Sequence, residues 1–288
     1  MKVSEIKRPL IPLVLLGLTI GAVFFPTLKS LVEAWWFSDD YSHGFLIIPI
    51  SGYVLWQKRE ELMRAEDMGD YLRMRAKSKS SWLFFPAILL TLFLYVLAHY
   101  AGVLTLAPLA MILFLSVTVC FLYGLSVFRI CLFALFLLLF MIPVPTQVYS
   151  SLTIPLQLYV TKATVIISQG IGVPILREGN VLFLPEHTLQ VVEACSGLRS
   201  IMTLLTLGTI ISYFFLKSFI LRVVLSLSAI PIAIMINIVR VMLMVIAFYY
   251  FDFDLAQGAL HTAFGATIFV LAVVFFLMFR KVLALCER

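Results

Sequence analysis

Charged residues are scarce in this chain of 288 residues, at 12% against 62% hydrophobic residues, with a mean hydropathy of +1.08. That scarcity excludes an ordinary soluble domain, which is about one quarter charged, because so much apolar surface cannot be kept from water without a bilayer. Cysteine is also sparse: there are four, and no two form a CxxC pair. No internal repeat is evident, and no small-residue cleavage site follows the apolar run Leu10 to Phe25, although Lys2, Lys7 and Arg8 precede it. The run is therefore expected to stay in the protein as a first membrane span. A net charge of +6 could suggest nucleic acid, but the basic residues are dispersed over short loops between apolar runs. That is a topology signal, and the expected partner is the lipid bilayer, with no nucleic acid.

Apolar stretches predict spans near 10–28, 41–57, 82–100, 108–124, 130–144, 196–216, 219–248 and 259–279, about eight helices of bilayer-spanning length. The second is the weakest, since it is short and holds Ser42, His43 and Pro49. With the N-terminus inside, 16 of the 21 basic residues fall in cytoplasmic segments, including the loop 57–81, and only Lys29, Lys162, Arg177, Arg199 and Arg240 do not. This asymmetry predicts a multi-pass membrane protein with both termini in the cytoplasm. The expectation is one all-α membrane domain over 1–288, carrying a small extracytoplasmic amphipathic helix and a β-hairpin cap.

The cap is read from the outer segment 146–194. In its first half Leu156, Tyr159, Val160, Ala163, Ile166 and Ile167 fall on one helical face, with Gln157, Thr161, Lys162, Thr164 and Ser168 on the other, the arrangement of a helix lying in the membrane interface. In its second half Val181 to Leu184 and Leu189 to Val192 read as short strands set off by Glu178, Gly179, Asn180 and by Pro185, Glu186. The hairpin leads directly into Cys195.

Cys195 is the single cysteine on the outer side, where a lone thiol has no disulfide partner. A small residue filling a helix start would explain it without chemistry. Its expected place in the first turn of the sixth span, with Arg199 four residues on, instead favours thiolate, the nucleophilic form. Small neighbours Ser196 and Gly197 would let a substrate backbone come close. Arg240 interrupts an apolar span, where a charge costs about 2.5–3.5 kcal/mol on insertion scales and so calls for a partner or a wet cavity. Counting up from Arg222 places it roughly 27 Å across a core about 30 Å thick, at the depth of Cys195. A snorkelling anchor is the bland alternative, against which Asn237, one turn earlier on the same face, argues for a polar cluster. His261 opens the eighth span at the same level, with Thr262 beside it and Gly265 one turn deeper. A thiol, a guanidinium and an imidazole at one depth can carry out acyl transfer: nucleophile, oxyanion or carbonyl ligand, and proton carrier. Among the other histidines, His99 reads as an interfacial anchor and His187 as a solvated turn residue. His43, in Asp39, Asp40, Tyr41, Ser42, His43, Gly44, is a candidate supporting residue on the same outer face. A zinc site from His43, His187, His261 and Cys195 has no ligand spacing behind it, so no metal or other cofactor is expected.

The run Glu193, Ala194, Cys195, Ser196, Gly197, Leu198, Arg199, with Asn237 to Arg240, His261 and Tyr41, Ser42, His43, Gly44, Phe45, resembles the exosortase/archaeosortase family of membrane proteins. The resemblance implies a sortase-like cysteine transpeptidase or endopeptidase on an unrelated fold, with Cys195, Arg240 and His261 catalytic. Glu193, Ser196, Gly197, Arg199, Asn237 and His43 would bind substrate or support the site. It also implies substrates that are secreted proteins ending in a Pro-Glu-Pro-type motif, a transmembrane helix and a basic tail. An acceptor nucleophile would resolve the thioacyl-enzyme, and the setting would be an exopolysaccharide-exporting cell. From a different class, a transporter or scaffold for lipid or polysaccharide export, with Arg199 and Arg240 lining an anionic path, would leave Cys195 without a role.

Overall fold

The computed structural model describes residues 10–65, 84–191, 197–255 and 258–287. Glu193, Cys195 and Ser196, and most of the loop 57–81, lie outside the described residues. The chain divides into two compact units, Met1–Pro145 and Thr146–Arg288.

In the first unit the helices are α1 (Leu10–Val23), α2 (Phe25–Phe37), α3 (Gly44–Gln57), α4 (Phe84–Tyr100) and α5 (Leu106–Leu137). Phe24 and Leu31 are wholly buried, and Phe24 meets Tyr95 of α4 edge to face at 4.5 Å. The Tyr95 hydroxyl accepts from Thr27 at 3.1 Å and donates to the Val23 carbonyl at 3.2 Å, so the polar tip of a buried ring is satisfied where water is absent. The expected spans at 108–124 and 130–144 meet at Gly124, whose φ of 85° breaks α5 into two helical pieces, a conformation only glycine adopts cheaply.

The second unit is built around α8 (Phe219–Phe251), against which α6 (Thr146–Gly170), α7 (Leu198–Phe215) and α9 (Gly258–Leu285) pack. Three short strands precede α7: β1 (Leu176–Glu178), β2 (Val181–Phe183) and β3 (Thr188–Gln190), in antiparallel order β1-β2-β3. Sequence pattern predicts only two strands; the third arises because the Gly179–Asn180 turn folds Leu176–Glu178 back onto β2. The buried side chains Ile175, Leu182, Leu189 and Val191 cluster with Val241, Met244, Val245 and Phe248 of α8. Deeper along α8, Ala229, Ile232 and Ala233 join Leu204 and Phe276 in a second cluster. There α7 and α9 approach so closely that a Cβ on Gly208 would lie 2.8 Å from the Phe276 ring.

Helix α6 inverts its expected orientation. Its buried residues are Thr153, Gln157, Val160, Thr161, Thr164 and Ser168, while Tyr159, Ile166 and Ile167 are exposed. The face read as solvated is thus the one packed inside the protein. The physical reason is packing: Val160 and the small side chains of this stripe sit against the strands and α8, and Thr161 Oγ1 reaches the Leu158 and Gly179 carbonyls at 3.1 and 3.4 Å.

Among the described residues four helices are long and apolar enough to cross a membrane: Leu106–Met141 with its terminal turn, Leu198–Phe215, Phe219–Phe251 and Gly258–Leu285; Gly44–Gln57 and Phe84–Tyr100 are shorter and apolar.

Candidate active site

Three helices of the second unit bring the predicted polar residues together. Arg240 on α8 donates from Nη2 to His261 Nε2 on α9 at 2.8 Å, and His261 Nδ1 donates to the Leu255 carbonyl at 3.2 Å. Asn237, one turn before Arg240, is 3% exposed. Its side chain closes on Gly197, where an added Cβ would stand 3.0 Å from Asn237 Cγ and Nδ2. Beneath the guanidinium lies a cavity of about 20 Å³ lined by Ser200, Leu204, Asn237, Arg240, Gly265 and Phe269 among others, room for one water molecule. Arg240 Nε is buried there and has no hydrogen-bond partner among the described residues. Gly265 is the floor under the arginine: a Cβ at this position would meet Nη2 at 3.2 Å and Cζ at 3.4 Å.

The start of α7 differs from expectation. The helix begins at Leu198, and its cap Gly197 is left-handed with φ 87°. With Gly197 as its cap the helix starts after Cys195 in the chain, and Cys195 lies outside the described residues. Arg199 itself lies half-buried in the first turn of α7. Gly197 is needed twice over, for its φ and for the approach of Asn237, since an L side chain in this region costs roughly 1–2 kcal/mol before any contact is counted.

His43, the other supporting candidate, belongs to the first unit, where it precedes α3 and is fully engaged. Its Nε2 donates to the Phe140 carbonyl at 3.2 Å, and burial pulls its pKa below the ordinary value against weaker opposing hydrogen bonds to Phe140 and Asp40. Its neighbours do the same kind of work. Trp35 Nε1 donates to the Met141 carbonyl at 2.9 Å, Thr105 Oγ1 donates to the Pro143 carbonyl at 2.8 Å, and the Tyr41 hydroxyl accepts from Val144 N at 3.2 Å. Four side chains thus satisfy the backbone of the irregular stretch 140–144, where helical bonding has ended and two prolines, Pro143 and Pro145, prevent its resumption. His187, expected to be solvated, instead bonds Asp252 Oδ1 through Nε2 at 2.7 Å and rests 4.9 Å from the Phe248 ring.

Sequence reasoning did not reach the Leu255 carbonyl, because a backbone acceptor leaves no mark on residue type. Ser200 was also missed; its position in the second turn after Gly197 was the available signal.

A model of the transmembrane exosortase family (Exosortase_EpsH) matches residues 35–278, most of the chain. The chain belongs to the exosortase family. It is therefore a multi-pass membrane protein of a sorting-related, cysteine peptidase-like group. The matched stretch takes in both histidine sites, since His43 and His261 each lie inside it. Comparison with curated proteins and with solved structures gave no match.

Proposed function

We propose that this exosortase is a membrane cysteine transpeptidase that cleaves the C-terminal sorting tail of secreted proteins and passes the acyl group to an acceptor. The observation that carries the reading is the fixed guanidinium of Arg240, one turn above an Asn237 that touches Gly197. Cys195 is two residues before Gly197, so chain connectivity keeps its Cα within about 7.6 Å of the glycine's. Family membership supplies the reaction class, and the polar group supplies the means.

The Cys195 sulfur attacks the scissile carbonyl carbon, and the oxygen takes up negative charge. Arg240 stabilises that charge in surroundings of low dielectric, where a fixed donor is worth far more than in water. The C–N bond then breaks, the thiol's proton ends on the departing amine, and the membrane-anchored tail leaves. A nucleophile on the acceptor, or water in a competing hydrolysis, attacks the thioester and restores the thiol. A substrate carrying its own transmembrane helix presents the bond beside the bilayer surface, which suits a site formed by the starts of α7 and α9 beside Arg240 of α8. The reading places the site on the extracytoplasmic face of an inner membrane, with both termini cytoplasmic. Glu193, Ser196 and Arg199 flank the nucleophile and contact the substrate backbone.

Processing of a tailed secreted protein by membranes holding Cys195→Ala tests the reaction. Cleavage should fall to background while insertion is unchanged, and full retention of cleavage would remove the enzyme reading in favour of a transporter or scaffold. Arg240→Lys keeps the charge but loses the planar donor array, and should reduce turnover by about 100-fold. Mass spectrometry of the product separates transfer from hydrolysis, the latter leaving a free carboxylate at the new C-terminus.

A further inference from the structure

His261 is held by two groups of opposite character, and together they fix its protonation. The Leu255 carbonyl, 3.2 Å from Nδ1, can only accept a hydrogen bond, so Nδ1 carries a hydrogen. The Arg240 guanidinium, 2.8 Å from Nε2, can only donate, so Nε2 must offer a lone pair. An imidazolium would set an N–H against an N–H and a cation against a cation at that distance. The ring is therefore the neutral tautomer protonated on Nδ1, with its one lone pair committed to arginine. Arg240 in turn depends on that bond. Among the described residues no carboxylate stands in a salt bridge with it, its Nε has no partner, and Gly265 leaves the space beneath it that a Cβ would take.

From this geometry we infer that His261 is a positioning residue: a neutral imidazole, set in one tautomer by the Leu255 carbonyl, whose Nε2 lone pair aims the Arg240 guanidinium, and which is not the base that takes the Cys195 proton. The inference deepens the proposed reaction and rests on it for the word positioning; the tautomer itself stands apart from any activity. In the resting site Nδ1 already holds its proton and Nε2 is occupied, so a proton from sulfur could reach the ring only by breaking the contact that places the arginine. The Arg240–His261 couple works as one unit, in which arginine meets the substrate and histidine meets arginine.

Two measurements on the full-length protein in bilayers test this. In the first, the imidazole nitrogens are labelled with 15N and read by solid-state NMR at neutral pH. The chain has four histidines, and the His261 signals are identified as those lost in His261→Gln. The expected signature is a protonated Nδ1 and a bare Nε2; protonation at Nε2, or at both nitrogens, overturns the inference even if Cys195 proves essential. In the second, cleavage of a tailed substrate is compared for His261→Gln and His261→Ala. The glutamine amide oxygen reaches the place of Nε2 and accepts from arginine but cannot carry a proton. Glutamine should hold kcat within about tenfold of the parent, and alanine should lose at least a further tenfold. If glutamine is as inactive as alanine while inserting normally, histidine carries a proton in turnover and the positioning role is wrong. Should the NMR signature appear and Cys195→Ala still cleave, the reaction reading fails and the tautomer stands.

Discussion

Among the described residues, one polar cluster in each unit contains a histidine that bonds through Nε2 to a group on another element. In the first unit Trp35, Tyr41, His43 and Thr105 spend their hydrogen bonds on the backbone of residues 140–144. In the second, His261 spends its bond on Arg240, and the arginine retains a buried Nε without a partner among the described residues. The first cluster is closed, with side chains matched to the backbone groups that a broken helix leaves over. The second is open, with donor capacity left in place. Closure marks structure, because the cost of an unpaired backbone group in an apolar setting already explains why the residues are there. Residual capacity is what the proposed reaction would use, because a part-buried cation with a donor to spare in an apolar span is costly to keep.

The comparison can be broken most sharply at two glycines. A Cβ on Gly44 would overlap the Trp35 indole, so Gly44→Ala should cost about 3 kcal/mol or more by overpacking. A large drop in thermal midpoint and in yield is expected, with normal cleavage per folded molecule. Gly265→Ala meets the movable end of Arg240 at 3.2 Å, so it should leave the midpoint nearly unchanged and lower cleavage about tenfold, or about 1.4 kcal/mol, by shifting the guanidinium. Equal loss of stability in both variants would erase the distinction between the clusters.

A smaller effect sharpens it. His43 has its pKa lowered by burial, so the folded state resists the proton that the unfolded state accepts near pH 6.5. Its contribution to stability is present above that value and is lost as pH falls below it. His43→Gln keeps a donor for the Phe140 carbonyl and cannot titrate. The variant should unfold at nearly the parent temperature at pH 8 and should show a shallower fall in midpoint between pH 7 and 5, measured by thermal melts in detergent. A parent-like slope would detach His43 from the pH response.

Much of the site was legible because its residues are anomalies. Arg240 and Asn237 stand out in an apolar span, and counting rise per residue set them level with the start of α7. His261 was read from its place at the start of an apolar span. What the count missed is informative. The start of α7 moved to Leu198 because Gly197 turns left-handed to admit Asn237, a contact made across helices and invisible to spacing within one. The polar face of α6 was read correctly as a stripe and wrongly as its wet side, since periodicity identifies two faces without saying which medium each meets. His43 looked like a site residue because it sits in an outer polar motif; only the tertiary contact to Phe140 revealed a backbone partner.

From the sequence alone came the membrane setting, the apolar helices and the residue types capable of acyl transfer, because hydropathy and charge cost are properties of the chain in any fold. Which histidine turns its Nε2 to an arginine and which to a backbone carbonyl was decided only by tertiary structure. That choice depends on the 2.8 Å approach of α8 to α9 at Arg240 and His261, and hydrogen bonds are sensitive to distances and directions that no one-dimensional pattern encodes.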